Sequence, residues 1–145
     1  MATVYSDVYD PFLDMITDHK LPTIGVSNRE QILYRLMKKS CAKFKRLCKV
    51  DLYDRDEVIY QFNNNLDDEI IDIINTGMIV EWLKPKYLND DNMRNSLNTS
   101  DYKLAASPAN MMGTIRDTYK DFKSEFTSMM NSYSIIHGKI EELKP

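Results

Sequence analysis

Apolar positions along the chain recur at helical spacing in four stretches, separated by polar connectors. The clearest is Phe62 to Pro85, where Ile70, Ile71, Ile73, Ile74, Met78, Ile79, Val80, Trp82 and Leu83 cover most of a helix circumference. A helix apolar nearly all round belongs in the middle of a domain. Asp67 can cap its first turn, and Asp68 and Glu69 set negative charge against the partial positive charge of that end. Pro85 predicts a stop at Lys84, because proline disfavours helical geometry in the residue before it and has no N–H to donate. Gly77 lies inside this helix, where glycine costs about 1 kcal/mol relative to alanine. Close approach of another helix is the expected compensation. Trp82 is expected deep in the core, near the face that carries Gly77.

Three further helices follow from the same rules. A short one near residues 10–17 has Asp10 as its cap and Pro11 at the first helical position, where a missing N–H costs nothing. A second, over 27–49, opens on Ser27-Asn28-Arg29-Glu30, a capping box in which the serine hydroxyl and the glutamate carboxylate serve each other's orphan backbone donors. The last, over 108–137, carries a ladder of Met112, Ile115, Tyr119, Phe122, Phe126, Met129, Tyr133 and Ile136 that continues to Ile140 and Leu143. Its steps alternate three and four, a heptad pattern. At 1.5 Å per residue this helix is about 45 Å long, beyond the roughly 38 Å diameter of a compact chain of this size. Two readings fit: a long core helix in an elongated antiparallel bundle, or a helix that overhangs the domain and needs a partner in another subunit. Residues 51–65 form an acidic, asparagine-rich connector, with Leu52, Tyr53, Val58, Ile59 and Tyr60 as anchors and a helical turn within 54–62. A short helix over 90–97 is weakly signalled. The fold class is therefore all-α: an elongated helical bundle with a long C-terminal helix, one domain over 1–138, and a tail over 139–145 set off by Gly138.

Composition changes this picture little. The chain has 145 residues, 43% of them apolar and 28% charged, ordinary for one globular domain with a single core. Charge is less even. Net charge is −3, yet Ser27 to Val50 holds eight Lys and Arg against one Glu, so the remainder carries the opposite sign. That split suits head-to-tail contact between subunits, or a basic face turned to water. Cys41 and Cys48 lie about 10 Å apart along one predicted helix, beyond disulfide reach, and read as small apolar residues in a reducing compartment. No basic leader segment and no apolar run of roughly 20 residues is visible.

Enzymatic chemistry finds no residues to carry it. His19 and His137 have no cysteine or carboxylate neighbours at metal-ligand spacing, and no phosphate-binding glycine loop or nucleophile elbow is present. Asp51, Asp54, Asp56 and Glu57 lack the glycine and terminal glutamate of a calcium loop. No catalytic residue, metal or cofactor is expected, and no membrane contact.

The F-N-x-x-L-acidic run at Phe62 to Asp67, leading into an apolar helix that ends W-L-K-P, resembles a family of neck proteins of tailed bacteriophages. A second block, Asp101 to Met112 (DYKLAASPANMM), is similar to that family's aspartate-aromatic-lysine run, its serine, and the Ala-Asn that opens a long helix. The two blocks cover about a quarter of the chain. The resemblance implies a virion protein: a head–tail connector or adaptor, all-α, forming a homo-oligomeric ring below the portal protein. Its partners would be the portal, neighbouring copies and other neck or tail proteins, with DNA passing through the channel. The C-terminal segment of such proteins commonly reaches the portal, so Lys139 to Pro145 is expected to dock there. Gly77 and the basic second helix depart from the family pattern. Candidate partner-binding residues are Arg35, Lys38, Lys39, Lys43 and Arg46 on the basic helix, with Ile140, Leu143 and Lys144 in the tail. The alternative is a small helical DNA-binding regulator that sets the basic helix against phosphates; the negative whole-chain charge and the lack of a helix-turn-helix pairing count against it.

Overall fold

Asp68–Leu88 is the central helix of the described residues, and the three other helices described pack against it. The computed structural model describes residues 2–18, 24, 27–88 and 108–137, with side chains described at all of these except 86–88 and 108–114. The helices are α1 (Tyr5–Asp18), α2 (Arg29–Phe44), α3 (Asp68–Leu88) and α4 (Pro108–His137). Three two-residue strands, β1 (Thr3–Val4), β2 (Arg55–Asp56) and β3 (Gln61–Phe62), form an antiparallel sheet in the order β1-β3-β2. The chain is thus mostly helical, and the all-α expectation is corrected by this small sheet.

The central helix forms as its sequence predicts at the start and differs at the end. The Asp67 carboxylate accepts the Ile70 N–H at 2.9 Å, which caps the first turn. Every residue from Ile73 to Glu81 is buried. The helix runs through Pro85 to Leu88 instead of stopping at Lys84. Pro85 is exposed, and the helix carries it at a cost of about 3 kcal/mol, from the missing N–H and the crowding of its ring against the carbonyl one turn back. Trp82 is half-buried at the margin of the core and not deep within it, a correction to its expected place.

Gly77 marks the tightest helix crossing. A Cβ built on it would lie 2.6 and 2.8 Å from two atoms of the Phe126 ring on α4, and would also strike Ser40 Oγ on α2. Ser40 is itself buried and donates to the Ile74 carbonyl at 2.7 Å, so α2, α3 and α4 converge at one point. On α4, Ile115, Tyr119, Phe122, Phe126 and Tyr133 are buried and Met129 is partly so, which makes this stretch a core helix. The ladder then leaves the core: Ile136 is 62% exposed while Ser134 is buried. A straight α-helix drifts about 20° per heptad from a 3.5-residue repeat, so a stripe spanning three heptads rotates off its partner.

Helix ends differ from the expectations where the neighbouring chain imposes another geometry. α1 begins five residues before Asp10, because the Tyr5 N–H donates to the Tyr60 carbonyl at 2.9 Å and Tyr5, Val8, Tyr9, Phe12 and Ile16 are buried together. Pro11 therefore sits inside the helix, and Asp10 is no cap. On α2 the capping box is not made: Asn28 is the cap, in the left-handed region at φ 63°, with no side-chain bond. That helix ends at Phe44, where Leu47 and Cys48 donate back to the Phe44 carbonyl and the Lys49 N–H reaches the Tyr133 hydroxyl at 3.3 Å. The turn brings Phe44 and Tyr133 edge to face, with ring centroids 5.1 Å apart.

The acidic connector is a hairpin, not a helical turn. Asp56 Oδ1 accepts the Val58 N–H at 2.9 Å, Asp51 Oδ1 accepts the Tyr53 N–H at 2.9 Å, and the Asp54 carboxylate accepts Asn63 Nδ2 at 2.8 Å. These carboxylates build turns. Leu52 and Phe62 anchor the hairpin in the core, whereas Val58, Ile59 and Tyr60, expected as anchors, stand exposed at its tip. The Leu66 N–H donates to Thr3 Oγ1 at 2.9 Å, tying β1 to the approach of α3. The expected helix over 90–97 and the tail 139–145 lie outside the described residues.

Candidate functional site

The basic helix presents an exposed stripe. Arg35, Lys38 or Lys39, Lys43 and Arg46 recur every three or four residues, and all five face solvent. They are not equally free. Lys43 pairs with Glu81 of α3, a carboxylate only 6% exposed. Lys38 sits 5.1 Å from the Tyr34 ring centroid, and the neighbouring Lys45 lies 4.1 Å from that of Tyr53. Among the described residues no carboxylate pairs with Arg35, Lys39 or Arg46. Ile140, Leu143 and Lys144 lie outside the described residues.

A second, acidic surface runs between α3 and α4. Glu69 and Asp72, one turn apart on α3, face Glu125 of α4 across a cleft of about 350 Å³ that reaches to Tyr133 and Ile136. His137 contacts two of its lining residues: its Nε2 lies 2.7 Å from Glu69 Oε1, and its ring lies 4.5 Å from that of Tyr133. Exposed Ile136 lines the same cleft, so the surface combines charge with apolar area.

A third feature has no counterpart in the sequence reading. Tyr9 of α1, Tyr34 of α2 and Tyr60 of the hairpin wall a pocket of about 400 Å³, completed by Glu30 and Gln31. Tyr5 underlies it, stacked on Tyr34 with centroids 5.8 Å apart and 6.2 Å from Tyr60. The Tyr34 hydroxyl donates to Glu57 Oε1. Burial pushes the Tyr34 phenol up to about 12, and the Glu57 carboxylate adds to the shift by accepting its proton in a hydrogen bond. Tyr9 is raised further, first by burial and then by the nearby Glu30 carboxylate. Glu30, Gln31 and Tyr34 share one face of α2, a grouping visible in the sequence; what Tyr9 and Tyr60 add depends on folding.

Nucleophilic chemistry has no footing in the two thiols. Cys41 is buried and its thiol pushed up to about 12 by loss of solvation, and Cys48 is raised for the same first reason, so neither is a ready thiolate. Among the described residues no three His, Cys, Asp or Glu side chains group to hold a metal ion. No described helix is long and apolar enough to cross a membrane. Comparison with protein-family models, with curated proteins and with solved structures finds no match.

Proposed function

We propose that this chain is a structural subunit of the tailed-phage neck, an elongated helical adaptor that assembles as a ring below the portal. The observation that carries the reading is the presence, on one subunit, of an exposed basic stripe along α2, in which Arg35 and Lys39 have no carboxylate partner among the described residues, and a separate acidic cleft between α3 and α4. Two different complementary surfaces on one chain support head-to-tail association, which closes into a ring when the rotation closes. The resemblance of the Phe62 to Pro85 block supports the same reading, since Phe62, Leu66 and Asp67 serve packing and capping rather than catalysis. In this reading the portal, neighbouring copies and other neck or tail proteins are the partners, DNA passes through the lumen, and Lys139 to Pro145 reaches the portal.

Charge reversal tests the association. Variant one carries Arg35→Glu and Lys39→Glu, and variant two carries Asp72→Lys and Glu125→Lys. Each alone should stay monomeric by sedimentation at 50 mM salt, where the wild type associates, and an equimolar mixture of the two should associate again. A wild type that stays monomeric at every salt concentration and fails to join portal-bearing heads would refute the ring. The regulator reading shares the Arg35 to Arg46 stripe, and a gel shift separates them: tight, salt-dependent binding to free duplex DNA would favour the regulator.

A further inference from the structure

We infer that the tyrosine-walled pocket between α1, α2 and the hairpin is a binding site for an organic cation, an alkylammonium or guanidinium group. Its walls are Tyr9, Tyr34 and Tyr60, and Glu30 stands at its rim. Aromatic faces carry the negative end of the ring quadrupole and attract cations that are weakly hydrated. A metal ion would need several oxygen ligands, and the pocket offers the Glu30 carboxylate and the Gln31 amide. An anion would meet Glu30 with Glu57 close behind, joined to the Tyr34 hydroxyl. Among the described residues no cation pairs with Glu30.

The attraction already operates at the margin of the site, where the Lys38 ammonium lies over Tyr34. Of the other basic groups nearby, Arg29 donates to the Ile24 carbonyl at 3.1 Å, and Arg55 lies 5.3 Å from the Tyr53 ring with its charge also acting on Tyr5 and Tyr34. The walls are held before any ligand arrives. The Tyr60 backbone sits in the left-handed region at φ 56°, fixed there by the bond from the Tyr5 N–H to its carbonyl, and the residue is 64% exposed. Tyr34 is held by Glu57 on one side and by the stacked Tyr5 on the other. A preformed site avoids the cost of ordering its side chains on binding. About 400 Å³ suits a small organic group.

The test uses the full chain with its tyrosine rings observed by NMR. Tetramethylammonium and n-butylguanidinium are titrated in parallel with their neutral analogues tert-butanol and n-butylurea, at constant ionic strength. The ring signals of Tyr9, Tyr34 and Tyr60 should shift saturably, with the cations about fivefold tighter than the neutral pair. Glu30→Gln, a substitution at an exposed position, should weaken the cations about threefold and leave the neutral analogues unchanged. Tyr60→Ala should weaken the cations similarly while the circular dichroism spectrum stays that of the wild type. A preference for the guanidinium points to an arginine side chain of a protein as the natural ligand, and a preference for tetramethylammonium to a free quaternary amine; either supports the site. Equal affinity for cations and neutral analogues, or cation affinity indifferent to Glu30→Gln, would overturn the inference.

Discussion

Gly77→Ala isolates the central packing decision of the fold. On helix propensity alone the change should stabilise α3 by about 1 kcal/mol, since alanine is the better helix former. The structure opposes it. The new methyl would lie within 2.8 Å of two Phe126 ring atoms and against the hydroxyl of Ser40. Real Cβ contacts are not that short, so either the Phe126 ring leaves its rotamer or α2 and α4 move apart. Overpacking of this kind costs about 1–3 kcal/mol. Displacing Ser40 also strains its buried bond to the Ile74 carbonyl, worth about 1 kcal/mol net. The expected outcome is a net loss of about 1–3 kcal/mol, and a melting temperature lower by about 3 °C for each of those kcal/mol. Urea unfolding followed by far-ultraviolet circular dichroism measures it directly. Gly77→Ala combined with Phe126→Leu should recover at least about 1 kcal/mol relative to the sum of the single changes, because the smaller side chain vacates the contact. A stabilised Gly77→Ala protein, or strict additivity in the double variant, would refute the close approach.

Trp82→Ala should cost about 2 kcal/mol, below the 3–5 of a fully buried tryptophan, because the side chain is only half-buried; a loss of 4 kcal/mol or more in urea unfolding would place it in the core after all. Lys43→Ala leaves the buried Glu81 carboxylate without its cation and should cost about 1–3 kcal/mol, while Lys43→Met with Glu81→Leu should recover most of that, as buried pairs replaced by apolar groups do; a single variant within 0.5 kcal/mol of wild type would show the pair to be idle. Cys41 predicts alkaline lability. Its thiol stays neutral in the fold to about 12, but ionises from its ordinary value near 9 when unfolded. Its contribution is therefore complete below pH 9 and falls by about 1.4 kcal/mol per pH unit between there and 12. Cys41→Ala should make the slope of stability between pH 9 and 10 shallower, leaving the share of the raised Cys48 thiol, before the raised Tyr34 and Tyr133 phenols add theirs; an unchanged slope would show that Cys41 is not the group responsible.

Much of the helical content was legible in the residues because its causes are local. Asp67 reaches a backbone N–H three residues away, and the buried run of α3 and the ladder of α4 are periodicities of single segments. Gly77 could be read the same way, since a glycine inside a good helix costs stability unless another element needs its space. Features that join distant segments were not legible. The bond from Tyr5 to Tyr60 decides where α1 starts, and the pairing of Thr3 with Phe62 and Arg55 with Phe62 makes a sheet from strands too short to show a pattern. Ser27 offers a capping box, yet Asn28 takes the cap position, in the left-handed region, instead. The basic stripe follows from charges spaced along one helix, whereas tertiary packing decides that Lys43 is consumed by Glu81 while Arg35 and Lys39 stay free. The tyrosine pocket depends most on the fold, because its three walls come from a helix, a second helix and a turn that only the folded chain brings together. Sequence periodicity records what one segment buries; which segments meet is settled by the shared core they can fill together.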